Sequence, residues 1–61
     1  MYNYEIILYF SKADLCFVAE IPELNGCIAH GDTEYDAIKN VNEAKELWLE
    51  TAKEFKVVIP E

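Results

Sequence analysis

An α+β domain, with three antiparallel strands followed by one long helix packed across them (β-β-β-α), is what this sequence predicts. Three observations lead there. Apolar residues alternate with period two through the first half of the chain. After Thr33 the period switches to steps of three and four, and the Pro, Gly, Asn and Asp residues of the first half fall mainly between the periodic runs. Sixty-one residues make a single domain, and a chain this short buries only about 60 % of its unfolded surface, so its core is marginal.

The first strand is expected over residues 2–10, where Tyr2, Tyr4, Ile6, Leu8 and Phe10 alternate with Asn3, Glu5, Ile7 and Tyr9; β-branched and aromatic side chains suit a pleated surface, and the even positions form the more apolar face. Ser11-Lys12-Ala13-Asp14 is a hairpin-length connection, so residues 15–21 should return antiparallel, with Leu15, Phe17, Ala19 and Ile21 opposed to Cys16, Val18 and Glu20. Pro22 cannot donate to a ladder and stops that strand, and Asn25-Gly26 can supply the positive φ of a tight turn. Cys27-Ile28-Ala29-His30 is a short third strand, released by Gly31-Asp32. Thr33 is then a good N-cap with Asp36 three residues on, acids lie at the positive end of the helix dipole and Lys53 and Lys56 at the negative end. Ala37, Ile38, Val41, Ala44, Leu47, Trp48, Thr51, Ala52 and Phe55 make one apolar stripe over roughly six turns. Val57-Val58-Ile59 is β-branched and able to add a short fourth strand before Pro60.

Composition excludes several functions. A hydrophobic fraction of 52 % is too high for a disordered chain, no apolar run approaches the roughly 20 residues of a membrane span, and the N-terminus lacks the positive segment of a signal peptide, so a cytoplasmic protein is expected. In that compartment Cys16 and Cys27 should be reduced thiols in strands. His30 and two widely spaced cysteines do not make a zinc pattern, and no metal or cofactor is expected. Asp14, Glu20 and Asp32 fall in a turn, inside a strand and before the helix, with nothing in their spacing to gather them around two cations. Cys27 and His30 are three apart in one strand and point to opposite faces, which separates any nucleophile from its base. No phosphate-cradling glycine loop occurs. The chain therefore reads as a binder and not as an enzyme.

Twelve acids against five lysines, with no arginine, give a net charge of −7. Such a chain is repelled by DNA and RNA, and its electrostatic complement is a basic protein. Glu43, Glu46, Glu50 and Glu54 follow three- and four-residue steps and form an acidic line away from the apolar stripe. Ile7, Tyr9, Cys16 and Val18 are apolar on the sheet face turned from the helix, a face one helix leaves bare, so self-association is expected there, with a dimer as the commonest closed form.

Pro22-Glu23-Leu24-Asn25-Gly26-Cys27, then Gly31-Asp32-Thr33, then the helix through Ala37, Asn40, Glu43, Ala44, Trp48 and Ala52, and the close at Ile59-Pro60 resemble the HicB-like antitoxins. That family shows a Pro-x-Leu-x-Gly-Cys turn, a Gly-Asp-Thr helix start, an amphipathic helix and an Ile-Pro close. The resemblance implies a partial ribonuclease-H-like fold, β-β-β-α-β, and a partner that is a small basic toxin of the double-stranded-RNA-binding fold, the HicA type, which cleaves messenger RNA with a histidine and is blocked when the antitoxin covers its active site. On that reading Glu20, Glu23, Asp32, Glu43, Glu46, Glu50 and Glu54 are the expected partner contacts, and Gly26, Gly31 and Thr33 are fold determinants. Family members often carry a further DNA-binding domain. This chain stops at Glu61, so a single domain over residues 1–61 is expected, and promoter binding by this chain alone is not. A degenerate ribonuclease-H-like nucleic-acid processing domain and an orphan oligomer without a toxin are the alternatives.

Overall fold

The computed structural model describes residues 4–55. It contains β1 (Ile7–Ser11), β2 (Cys16–Glu20), β3 (Ile28–Gly31) and α1 (Glu34–Glu54), in the predicted order. The strands lie β1-β2-β3 with both pairings antiparallel. The register stacks Leu8, Ala19 and Ala29 in one row, Tyr9, Val18 and His30 in the next, and Phe10, Phe17 and Gly31 in the next. The expected fourth strand at Val57-Val58-Ile59, and Tyr2 and Asn3 of the first, lie outside the described residues.

The first two strands are shorter than the alternation predicts, for local reasons, and the third is shifted by one residue. Ile7 pairs with Glu20, so Ile6 and Glu5 would need Ile21 and Pro22 as partners. The Ile21 N–H is committed to the Cys27 carbonyl at 3.0 Å and Pro22 has no N–H; the Glu5 N–H donates instead to the Glu23 carboxylate at 3.3 Å. At the other end Leu15, expected as an inward strand residue, is 77 % exposed at φ 54. The left-handed conformation closes the turn from β1 to β2, and that turn is pinned by the Asp14 N–H donating to Ser11 Oγ at 3.3 Å and Ser11 Oγ–H donating to Asp14 Oδ2 at 3.2 Å.

Cys27, expected in the third strand, belongs instead to the connecting loop. Leu24 N–H donates to the Ile21 carbonyl at 3.1 Å and Cys27 N–H to the Leu24 carbonyl at 3.0 Å. Residues 21–27 are thus two successive turns: Pro22 takes the first central position of one, and Gly26, at φ 82, the second central position of the other, where positive φ is required. The turns drive Ile21, Leu24 and Cys27 inward, all at 4 % exposure or less. Leu24 is a core residue that alternation could not reveal, because it lies in no strand.

The helix starts where predicted. Thr33 Oγ1 accepts the Asp36 N–H at 3.1 Å. Gly31 and the first turn touch so closely that a Cβ on Gly31 would collide with the Ala37 N and Asp36 backbone and side chain. Because only Asp32-Thr33 joins β3 to α1, the helix turns straight back and lies chiefly over β3, less over β2 and scarcely over β1. The core is Ala19, Ile21, Leu24, Cys27, Ala37 and Val41, flanked by Tyr4, Ile6, Leu8, Phe17, Ala29, Ile38, Ala44 and Trp48. Phe10 shares that face but stays 48 % exposed, edge-on to Phe17.

The apolar stripe is narrower than expected. Leu47, Thr51 and Phe55 are exposed, Leu47 by 64 % and Phe55 by 70 %. The cause is length. A 21-residue helix runs for about 31 Å whereas four-residue β3 covers about 13 Å, so the C-terminal half of α1 overhangs the strands and, among the described residues, faces the 21–27 loop. There Trp48 Nε1–H donates to the Asn25 carbonyl at 2.9 Å. The helix ends at Phe55, φ −97, with its N–H on the Thr51 carbonyl and no left-handed cap at that residue.

Candidate interaction surfaces

Three surfaces result. The first is the sheet face turned from the helix. Ile7, Glu20 and Ile28 form one row across it, and Tyr9, Val18 and His30 the next. Ile7, Tyr9 and Ile28 are 41–46 % exposed. Val18, expected to lie bare, is buried at 2 %: it lies on the central strand, between Tyr9 and His30 in the register. Cys16 is half-buried at the end of the face. Ile28 was missed from the sequence, though Ala29 on the inner face would have placed it outside.

The second surface is the outer helix. Glu43, Glu46, Glu50 and Glu54 are all exposed and extend over roughly 16 Å of helix. The structure does not gather the other expected acids beside them. Glu20 sits half-buried between Ile7 and Ile28 on the sheet. Glu23 is exposed in the loop under the helix C-terminal half, and Asp32 lies at the opposite end, beside the helix start.

The third is an open groove of about 440 Å³ between the 21–27 loop and the overhanging helix, lined by Gly26, Cys27, Ala44, Leu47, Trp48, Thr51 and Ala52. Among the described residues the turn at Gly26 and the mismatch of helix and strand lengths shape it, and neither is visible as a sequence period.

The residues weighed for chemistry stay apart. Asp14 and Asp32 lie at one end of the sheet and Glu20 at the other, and no three His, Cys, Asp or Glu side chains converge among the described residues. His30 is exposed, with its carbonyl held by Asn40 Nδ2–H at 2.7 Å, while Cys27 is buried on the opposite side. Burial pushes the Cys27 thiol up from its ordinary 9.0, with the Lys45 ammonium opposing. Two outcomes are expected. Iodoacetamide should alkylate Cys16 well before Cys27 in the native protein, the difference vanishing in denaturant. The folded chain holds the Cys27 proton more tightly than the unfolded one, so this contribution to stability is full below 9.0 and is lost as pH climbs from there through the raised folded value. A Cys27→Ala variant, read by denaturant midpoints across that range, should lack the alkaline loss.

The model of the HicB-like antitoxins of bacterial toxin–antitoxin systems matches residues 4–61. The chain belongs to this family. Two curated relatives come from Synechocystis sp. strain PCC 6803. The UPF0150 protein ssl0259 is 43 % identical over 58 residues, covering 95 % of this chain and 78 % of the relative. The UPF0150 protein ssr1765 is 41 % identical over 51 residues, covering 84 % of this chain and 63 % of the relative. No solved structure matches significantly. The HicB-like motifs have structural jobs here: the Pro22-to-Cys27 segment is the double turn that anchors Leu24, and Gly31-Asp32-Thr33 brings β3 against the helix and caps it. Among the described residues no helix is long and apolar enough to cross a membrane.

Proposed function

We propose that this HicB-like chain neutralises a small basic RNA-cleaving toxin of the HicA type in the cytoplasm, by binding over its active site and without catalysis of its own. The observation that carries the reading is charge: a net −7, with Glu43, Glu46, Glu50 and Glu54 exposed in line on a rigid helix. A toxin that binds RNA must present positive charge to phosphates, and an acidic helix can meet that same surface. Glu23 and Asp32 extend the acidic charge to both ends of the helix. The test is co-expression with the small basic reading frame beside the chain's gene. Growth should be arrested by the toxin alone and restored by the pair; continued arrest in cells that accumulate the folded chain sinks the reading.

Self-association belongs to the open sheet face. A second copy would cover Ile7, Tyr9 and Ile28, and a dimer is the simplest closed form. Glu20 opposes it, since two copies bring two carboxylates into an apolar contact. Sedimentation is expected to show a dimer at micromolar concentration, tightened by Glu20→Gln and dissociated by Ile7→Lys. A clean monomer at tens of micromolar would remove this face from the argument.

A further inference from the structure

We propose that the groove beneath the helix overhang is where the toxin partner docks, receiving an apolar side chain carried on a basic surface; the inference rests on the toxin-neutralising reading above. The groove has a built floor and an acidic rim. Its floor is fixed by the Trp48 Nε1–H bond to the Asn25 carbonyl, and at Gly26 a Cβ would meet nothing within 4 Å among the described residues. Its outer wall is Leu47, 64 % exposed. On a helix Glu43 and Glu50 are the direct neighbours of Leu47 at four residues back and three ahead, and Glu54 follows one turn on. The exposed apolar wall is thus bordered by carboxylates.

Charge chooses the occupant. A second copy of this chain would bring its own −7 against the same acids. A partner with an apolar side chain set among lysines or arginines fills the groove and pairs the rim at once, the pattern of a buried anchor within a polar ring. At about 440 Å³ the groove falls within the range of cavities that hold a compact ligand. One contact would therefore bury the apolar side chains that the sheet fails to cover and place the acidic line over the toxin's basic surface.

Trp48 is the only tryptophan, which makes the groove directly observable. The full chain, labelled with fluorotryptophan, gives one fluorine resonance, to be followed while the unlabelled toxin from the adjacent reading frame is added. The resonance is expected to shift on binding. Leu47→Ala, which removes the wall, and Thr51→Tyr, which fills the groove from an exposed position, should each weaken the toxin about tenfold. Ala13→Ser, in the exposed β1–β2 turn at the far end of the sheet, should leave affinity within about twofold. If the toxin binds with the Trp48 signal unmoved and both groove variants binding normally, the groove is not the docking site while the toxin-neutralising reading stands. If the toxin does not bind the wild-type chain, both fall. A resonance that moves with chain concentration in the absence of toxin assigns the groove to a second copy. One that moves in isolated Val58→Asp assigns it to the chain's own C-terminal residues, and either result overturns the proposal.

Discussion

Neutralising the acidic helix line with Glu43→Gln, Glu46→Gln, Glu50→Gln and Glu54→Gln together is expected to leave the domain folded and to slow its association with a basic partner about ten- to a hundredfold at low salt. The change raises the net charge from −7 to −3, one unit for each of the four carboxylates. Folding and binding should separate, because the line works against the helix that carries it. Glu46 with Glu50, and Glu50 with Glu54, are like charges four apart, and Glu43 with Glu46 three apart. Lys39 with Glu43 and Glu50 with Lys53 offset them. Each such pair is worth only about 0.2–0.5 kcal/mol, so the two sets nearly cancel. Glu50 and Glu54 also sit near the negative end of the helix dipole, where removing a carboxylate gains a few tenths of a kcal/mol more. The variant should therefore melt at the wild-type temperature or slightly above it, while its association rate falls and loses most of its salt dependence. Stopped-flow association across a salt series, beside thermal melts, reads both. An unchanged rate at low salt would mean that these carboxylates do not steer the partner.

That separation bears on what the sequence could disclose. The acidic line was legible because a residue on the helix side turned from the sheet stays exposed whatever the length of the strands beneath. The inner sheet face was legible too, since Leu8, Ala19 and Ala29 occupy one row in the observed register. The strand ends were not. Glu20 closes β2 because the Ile21 N–H belongs to Cys27, and alternation continues past that point without any sign of it. Val18 misled in the other direction: its period places it on the open face, correctly, but its place on the central strand, with a strand on either side, is not written in the period. Leu47, Thr51 and Phe55 satisfy the helical stripe and still face solvent, because a stripe records direction and not whether a sheet extends far enough to meet it. The groove follows from that last difference.

The residue that holds the groove's floor against the core is Leu24, and Leu24→Ala is expected to cost about 2–5 kcal/mol. A domain of this size has a total stability of roughly 3–9 kcal/mol at ordinary per-residue values, so the substitution removes much of it and leaves a measurable unfolded fraction at physiological temperature. The magnitude comes from position. Leu24 is 1 % exposed, one of the largest fully buried side chains, and it is held there by turns whose backbone bonds run Leu24 to Ile21 and Cys27 to Leu24. A loop has few other ways to stay attached: Pro22, Glu23, Asn25 and Gly26 are all exposed, leaving Ile21, Leu24 and Cys27 as its buried anchors. Losing the middle anchor frees the Asn25 carbonyl that Trp48 bonds, so the overhanging half of α1 should loosen with it. Hydrogen exchange is expected to quicken first at the amides of Ile21, Leu24 and Cys27 and then in α1 beyond Ala44, while the amides near the Thr33 cap keep more of their protection. A denaturant midpoint within about 0.5 kcal/mol of wild type, the size of an ordinary surface change, would show that the double turn holds without its central side chain.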